Sequence, residues 1–131
     1  MSSEGSGWSR AISSSFPNLR ILSLADCHVT GPIDPSFGKL QFLSVIKLDG
    51  NNLNAPFPDF LANLGSLTVL SLYSCNFCGV FPQWILQIPT LQTLDLSDNK
   101  NLQGSLPELP QDGALCVGFV ESNRFQNWFL I

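Results

Sequence analysis

Residues 91–102 have the sequence LQTLDLSDNKNL, with leucines at 91, 94, 96 and 102 and an asparagine at 99. The same pattern starts at residues 19, 43 and 67, so its copies follow one another at a constant step. One column of equivalent residues contains Val29, Leu53 and Phe77, and Leu102 joins it after one inserted residue. The other columns are Leu19, Leu43, Leu67 and Leu91; Leu22, Ile46, Leu70 and Leu94; Leu24, Leu48, Leu72 and Leu96; and Cys27, Asn51, Cys75 and Asn99.

This spacing is the signature of the leucine-rich repeat, LxxLxLxx(N/C)xL, whose period is roughly 20–29 residues. Within LxLxx the apolar residues recur at every second position, so each copy predicts a short strand with one buried face. One such strand cannot bury its face alone, and neighbouring copies must stack to share a core. The chain is therefore predicted to be an α/β solenoid of about four full repeats.

The column that follows each strand is predicted to be a structural ladder, made of Cys27, Asn51, Cys75 and Asn99. An inward asparagine can satisfy backbone groups of adjacent turns that would otherwise be buried without partners, at roughly 1–3 kcal/mol each. Cysteine is the substitution that the repeat pattern itself admits. Cys27 and Cys75 lie two strands apart, and a disulfide needs Cα atoms within about 7 Å, so free thiols are expected.

The second half of each copy has glycine and proline at fixed offsets, as in the equivalent pairs Gly31 and Gly79, and Pro58 and Pro82. These residues suit a tight turn and an extended or 3₁₀ segment better than a long helix. We expect one parallel sheet on the concave side, with turns and short 3₁₀ segments behind it. Two more apolar columns fill this convex side: Phe37, Leu61 and Ile85, then Leu40, Leu64 and Ile88.

The full form of the repeat, LxxLxxLxLxxNxLxGxIPxxLxxL, resembles the plant-specific class of extracellular leucine-rich repeats. Three stretches are similar to the plant receptor-like proteins that confer resistance to Verticillium wilt: SSSFPNLRILSLADCHVTGPI at 13–33, LSVIKLDGNNLNAPFP at 43–58 and IPTLQTLDLSDNKNLQGSLPE at 88–108. The resemblance covers about residues 8–112. It implies a recognition module of a plant cell-surface immune receptor, at the extracellular side of the plasma membrane. It also implies a protein or peptide ligand, and a co-receptor kinase reached only through the full-length parent.

Two alternatives stay open. One is a secreted inhibitor, resembling the plant leucine-rich-repeat proteins that block pathogen polygalacturonases. The other is a truncated gene product without independent function.

The repeats divide the chain into three predicted parts. Residues 1–18 match the end of a preceding repeat, with a partly disordered N-terminus, and residues 19–112 form the four repeats. Residues 113–131 are either a degenerate fifth repeat or an off-pattern tail, because Gly118 stands where leucine is expected. Terminal repeats normally present a polar cap, and neither end has one. We therefore expect a fragment, or a truncated paralogue, of a longer ectodomain.

Composition excludes several classes of function. Six basic against ten acidic residues give a net charge of −4, without the basic stripe that nucleic-acid binding requires. The sequence contains no run of about 18 apolar residues, so a membrane span is not expected. The first twenty residues lack the apolar centre of a signal peptide. Direct membrane contact by this chain is not expected.

Two motifs resemble reactive sites. Cys75 and Cys78 form a CxxC, but a zinc site needs a second ligand pair, and the only histidine is His28. Asp26, Cys27 and His28 contain the residue types of a nucleophilic triad, yet adjacent residues in an extended segment point to opposite faces. We therefore predict no enzymatic activity, no metal site and no cofactor.

The outward positions of the strands form the concave face, which is the usual binding surface of a solenoid. Ile21, Val45 and Val69 also point outward there. Acidic residues outnumber the single Lys47, which favours a basic partner, and Tyr73 is the best aromatic anchor. The candidate partner-binding residues are Ser23, Asp26, Lys47, Asp49, Ser71, Tyr73, Thr93, Asp95, Ser97 and Asp98.

Overall fold

A computed structural model describes residues 7–105, 116–117 and 124–126 of the chain. Short strands alternate with 3₁₀ helices, as expected of stacked coils that are too short for long helices. The elements are α1 (Trp8–Ser15), β1 (Ile21–Ser23), η1 (Pro35–Lys39), β2 (Val45–Lys47), β3 (Ala55–Pro56), η2 (Asp59–Asn63), β4 (Val69–Ser71), β5 (Phe77–Val80), η3 (Gln83–Gln87), β6 (Thr93–Asp95), β7 (Asn101–Ser105), β8 (Cys116–Val117) and β9 (Arg124–Gln126).

The concave sheet is parallel, with the order β1-β2-β4-β6-β8. Leu22 pairs with Ile46, Ile46 with Leu70, and Leu70 with Leu94, so the register follows the repeat period of the sequence. These inward residues are buried, whereas their strand neighbours face outward. The predicted solenoid with a parallel concave sheet is confirmed.

A second parallel sheet, in the order β3-β5-β7-β9, lies beyond the turn that follows each concave strand. The prediction of a single sheet was therefore incomplete. In this second sheet Ala55 pairs with Phe77, and Cys78 pairs with Asn101. In both pairs the sequence separation of the two residues is shorter than the repeat period, and it differs between the pairs. The repeating columns of the sequence therefore do not predict the strands of this sheet.

The core lies between the concave sheet and the three 3₁₀ helices. Both predicted convex columns are buried, at 7% exposure or less, and their side chains meet the strand leucines from behind. Phe57 packs against Phe77 at 5.0 Å between ring centroids and against Trp84 at 6.3 Å. Every coil thus contributes a layer to one continuous core.

The chain before β1 forms the helix α1, which stacks on η1. The indole Nε1 of Trp8 donates to the carbonyl oxygen of Thr30 at 3.2 Å, and the Trp8 ring packs edge-on against Phe37. Ser9 is fully buried, and its Oγ accepts the backbone N–H of Asp34 at 2.8 Å. The helix α1 packs against η1, just as η1 packs against η2 in the next coil.

The structural ladder differs between its asparagine and cysteine members. The Asn99 amide donates to the carbonyl oxygens of Leu72 and Leu96, each at 2.9 Å, and accepts the N–H groups of Cys75 and Phe77. Asn51 makes equivalent bonds. Where Cys75 occupies the column, its thiol donates to the Leu48 carbonyl at 3.0 Å. The asparagines therefore bridge more backbone groups than the cysteine does.

The two cysteine positions of the ladder differ in their contacts. The N–H of Leu53, in the coil before Cys75, donates to the backbone carbonyl of Cys75 at 3.0 Å, because this position of the ladder has no side-chain amide oxygen. Cys27 is exposed, and its thiol donates to the nearby carbonyl of Ala25 at 3.3 Å. Among the described residues no coil stacks on the outer edge of β1, so Cys27 occupies the ladder column without the burial expected of it.

The last two described strands extend both sheets. β8 pairs with β6 so that Cys116 lies opposite Thr93, and β9 pairs with β7. The repeat period would place Val117 opposite Thr93, so this register is shifted by one position. The chain between and after these strands lies outside the described residues, as do residues 1–6. The division into 1–18, 19–112 and 113–131 therefore stays a prediction.

Candidate functional site

Three columns of side chains point outward from the concave sheet. The register aligns equivalent residues of successive strands directly opposite one another. We call the first of them the aliphatic column, because three of its four members are valine or isoleucine. The columns are Ile21, Val45, Val69 and Thr93; Ser23, Lys47, Ser71 and Asp95; and Ala25, Asp49, Tyr73 and Ser97.

The aliphatic column is the apolar part of this face. Ile21 is 63% exposed and Thr93 is exposed, while Val45 and Val69 are partly covered by their neighbours. Phe42, 48% exposed, lies beside the sheet, with the Arg20 guanidinium 5.6 Å from its ring centroid. A row of branched apolar side chains on an outward sheet face offers area that a partner could bury.

Asp49 is committed to hydrogen bonds within the sheet. Its carboxylate accepts the backbone N–H of Tyr73 at 2.7 Å and the hydroxyl of Ser71 at 2.8 and 3.0 Å. The Tyr73 side chain stays 47% exposed. Asp49 thus fixes the strand end that presents the aromatic ring.

Asp95 and Ser97 are also paired with each other. The Asp95 carboxylate accepts both the hydroxyl of Ser97, at 2.5 Å, and its backbone N–H, at 3.0 Å. This contact covers the Ser97 side chain, and the residue is only 7% exposed. Ser97 therefore offers little surface to a partner, and its assignment to the binding residues stays a prediction.

The turn after each concave strand contains a further column: Asp26, Gly50, Ser74 and Asp98. All four have φ between 53° and 76°, a left-handed conformation that asparagine, aspartate and glycine tolerate better than other residues. The Asp26 carboxylate lies directly over the Cα of Gly50. Asp26 and Asp98 therefore belong to the rim of the concave face rather than to its floor.

The remaining predicted residues lie together on the sheet. Ser23, Lys47 and Thr93 are exposed, and Ser71 is half-buried under its bond to Asp49. The set of ten candidates left out Ile21, Val45 and Val69 of the aliphatic column, although these residues were counted as outward. Their signal was the recurrence of a β-branched residue at the equivalent position of each repeat, which indicates a continuous apolar stripe.

Among the described side chains, the cysteines and the histidine are not brought together as a reactive centre. Cys75 is fully buried, and burial, with a smaller contribution from the carboxylates of Asp49 and Asp95, raises the pKa of its thiol to about 12. His28 and Cys27 are exposed on a turn. Within the described residues, no group of three His, Cys, Asp or Glu side chains could hold a metal ion, and no helix could cross a membrane.

Comparison with known proteins agrees with the repeat geometry. The family model described as Leucine Rich Repeat matches residues 18–40, 66–88 and 90–112, which together make up more than half of the chain. The chain belongs to the leucine-rich-repeat family. No curated protein matches its sequence.

Solved structures similar to this leucine-rich-repeat chain include plant receptor kinases. The Arabidopsis receptor kinase HAESA, in complex with the peptide hormone IDA and the co-receptor SERK1, aligns with 82% of the chain at 30% identity and a TM-score of 0.73. PEPR1, in the PEPR1–AtPEP1 structure, aligns with 83% at 32% identity and 0.74. The leucine-rich-repeat ectodomain of SOBIR1 from Arabidopsis thaliana aligns with 65% at 34% identity and 0.60.

The chain spans only part of these relatives: 18% of the HAESA chain, 15% of the PEPR1 chain and 46% of the SOBIR1 chain. Its fold is that of plant receptor ectodomains, which serve as interaction modules. The resemblance to Verticillium wilt resistance proteins stays a prediction.

Proposed function

We propose that this chain is a ligand-recognition module of a plant cell-surface defence receptor-like protein. It acts on the extracellular side of the plasma membrane, and its ligand is a peptide or protein. A co-receptor kinase is engaged through the parent receptor. The relatives bound to a peptide hormone or a co-receptor support this reading, as does the interaction fold.

The observation that carries the proposal is the aliphatic column beside Tyr73. A protein interface gains most of its energy from a few buried apolar and aromatic anchors surrounded by polar groups. The concave face has this arrangement, with Ile21 and Tyr73 exposed on either side of a polar column. Two of its carboxylates, those of Asp49 and Asp95, are already hydrogen-bonded to protein groups. Hydrogen bonding does not cancel the charge of a carboxylate, so the face combines apolar area that a partner can bury with attraction for a basic ligand.

A peptide-display selection with the intact chain tests the proposal. The selected peptides, together with pathogen-derived and endogenous plant peptides, are titrated against wild type, Ile21→Asp and Val80→Asp. Val80 is the matched control, because it is a 75% exposed apolar residue on the second sheet. Binding through the concave face predicts at least about tenfold weaker affinity for Ile21→Asp alone. Equal affinity for the two variants contradicts it.

A defence role makes a separate prediction. The ligand is then expected to be a pathogen-derived peptide or an endogenous peptide that appears on infection. Binding only of endogenous peptides whose levels do not change on infection would leave a recognition module in place but would contradict its assignment to defence.

A further inference from the structure

A polar groove lies outside the concave face, along the turns between the two sheets. The groove is open to solvent and has a volume of about 510 Å³, and every residue that lines it is polar or glycine. Its wall is a line of three side-chain amides from successive coils, Asn52, Asn76 and Asn101. Ser74, Asp98 and Lys100 form the rest of the lining together with Gly50 and Asn51.

The three amides form a ladder of their own. Asn101 donates from Nδ2 to Oδ1 of Asn76 at 3.2 Å, and Asn76 donates from Nδ2 to Oδ1 of Asn52 at 2.8 Å and of Asn54 at 3.4 Å. These bonds run from side chain to side chain, in contrast to those of the buried Asn51 and Asn99, which serve the backbone. This outer ladder therefore does not satisfy the buried backbone of the coils.

Capacity for further hydrogen bonds remains on the outer ladder. A side-chain amide offers two N–H donors and two acceptor lone pairs. In the bonds that the structure shows, Asn52 only accepts, and Asn101 donates a single N–H. Both residues are exposed, so their remaining donors and acceptors are accessible to a ligand.

The chemistry of the lining selects a class of ligand. Asp98 and Lys100 carry opposite charges, so the groove favours a neutral ligand over a polyanion. A peptide would need an apolar or aromatic pocket as an anchor, and the lining contains none. A ligand dense in hydroxyl groups can use donors and acceptors together, since each hydroxyl both donates and accepts.

The spacing of the ladder matches a polymer of such units. Adjacent coils of a parallel sheet are separated by about 4.8 Å. One sugar ring in an extended oligosaccharide advances the chain by a similar distance, so each successive sugar would meet the amide of the next coil. We propose that this groove binds a neutral, linear oligosaccharide, with one sugar at each of Asn52, Asn76 and Asn101.

The test is a titration of the whole chain, monitored by NMR and calorimetry. The ligands are cellohexaose, xylohexaose and mannohexaose, their disaccharides, and an oligogalacturonate as the charged probe. At least one neutral hexasaccharide is expected to bind, to shift the side-chain amide signals of Asn52, Asn76 and Asn101, and to bind more tightly than its disaccharide. Asn101→Ala and Asn76→Ala should each weaken binding about tenfold. Asn63→Ala removes an exposed amide from η2 and should leave binding unchanged.

Three outcomes overturn the proposal: no binding of any neutral hexasaccharide, tighter binding of the oligogalacturonate or of a peptide in the groove, or affinity unchanged in Asn101→Ala. Because Asn101 is exposed, this variant tests the groove even if Asn76→Ala does not fold. Ile21→Asp should bind the hexasaccharide normally. The result is thus independent of the proposed peptide site on the concave face.

Discussion

The carboxylate of Asp49 accepts the backbone N–H of Tyr73 at 2.7 Å, across one coil of the solenoid. The acidic residue and the exposed aromatic residue of the candidate site are therefore one structural unit. The Asp49 carboxylate holds two neighbouring residues of the sheet in place, Ser71 and Tyr73, in addition to its contribution to the charge of the concave face.

Replacing Asp49 by alanine should lower the free energy of unfolding by about 1–2 kcal/mol, because the Tyr73 N–H and the Ser71 hydroxyl both lose an acceptor. Urea denaturation followed by circular dichroism measures the change. Asp59→Ala removes the same charge from an exposed position on η2 and should stay within about 0.5 kcal/mol of wild type. Equal losses in the two variants would show that only net charge matters.

The free energy of unfolding should depend far more on an asparagine of the structural ladder than on an exposed asparagine. Asn99→Ala leaves the buried N–H groups of Cys75 and Phe77 and the carbonyl of Leu72 without their amide partner. A loss of about 3 kcal/mol or more is expected, since each unsatisfied buried group costs roughly 1–3 kcal/mol. The exposed Asn63→Ala is the control in the same denaturation series. A loss below about 1 kcal/mol for Asn99→Ala would contradict the bridging role.

The Cys75 thiol predicts a specific dependence of stability on alkaline pH. Burial raises its pKa to about 12, whereas an unfolded cysteine titrates near pH 8.5. The folded state therefore holds a proton that the unfolded state releases. This contribution to stability is complete below about pH 8.5 and is lost as pH rises to about 12, by up to about 1.4 kcal/mol per pH unit.

Comparison with Cys75→Asn isolates this term, because asparagine is the other residue of the ladder and does not titrate. Denaturation midpoints of the two proteins, measured from pH 7 to pH 11, should diverge above about pH 8.5. Parallel curves over the whole range would rule out a raised pKa for this thiol.

Thiol reactivity gives an independent check on burial. Cys27 is exposed and Cys75 is fully buried, so native alkylation by iodoacetamide should modify Cys27 first and Cys75 only on unfolding. Peptide mass spectrometry at successive times orders the sites. Early modification of Cys75 would place it outside the core.

Much of the fold could be predicted from the sequence, because the concave strands repeat in step with the residues that build them. Leu22, Ile46, Leu70 and Leu94 follow one another at the repeat period and pair in that register. The convex columns could be predicted equally well, since Phe37 and Leu61 must be apolar to close each layer of the core. In both cases the apolar residue that recurs in the sequence is the one that is buried, so its position in the coil follows from the repeat.

The second sheet could not be predicted in this way. Its pairing steps vary between coils, and segments such as Ala55–Pro56 contain residues that do not favour strands. In the second sheet the strands pair because successive turns stack on one another, and not because of a repeated residue pattern. The burial of Ser97 could not be predicted for a related reason: its side chain is covered through a hydrogen bond to Asp95, which the alternation of inward and outward residues does not express.

The outward columns of the concave face could be predicted from the sequence, and Lys47 and Tyr73 are exposed there. The hydrogen bonds of Asp49 and Asp95 could not, because they depend on the spacing between side chains of the folded sheet. Which residues of this face bind a partner stays a prediction.

Recognition through the concave face can be tested by residue-resolved NMR titration of the intact chain with a selected peptide. Backbone signals of Ile21, Val45, Val69 and Tyr73 are expected to shift on binding, while those of Val80 and η2 stay in place. Shifts confined to the second sheet or the convex helices would contradict recognition through the concave face.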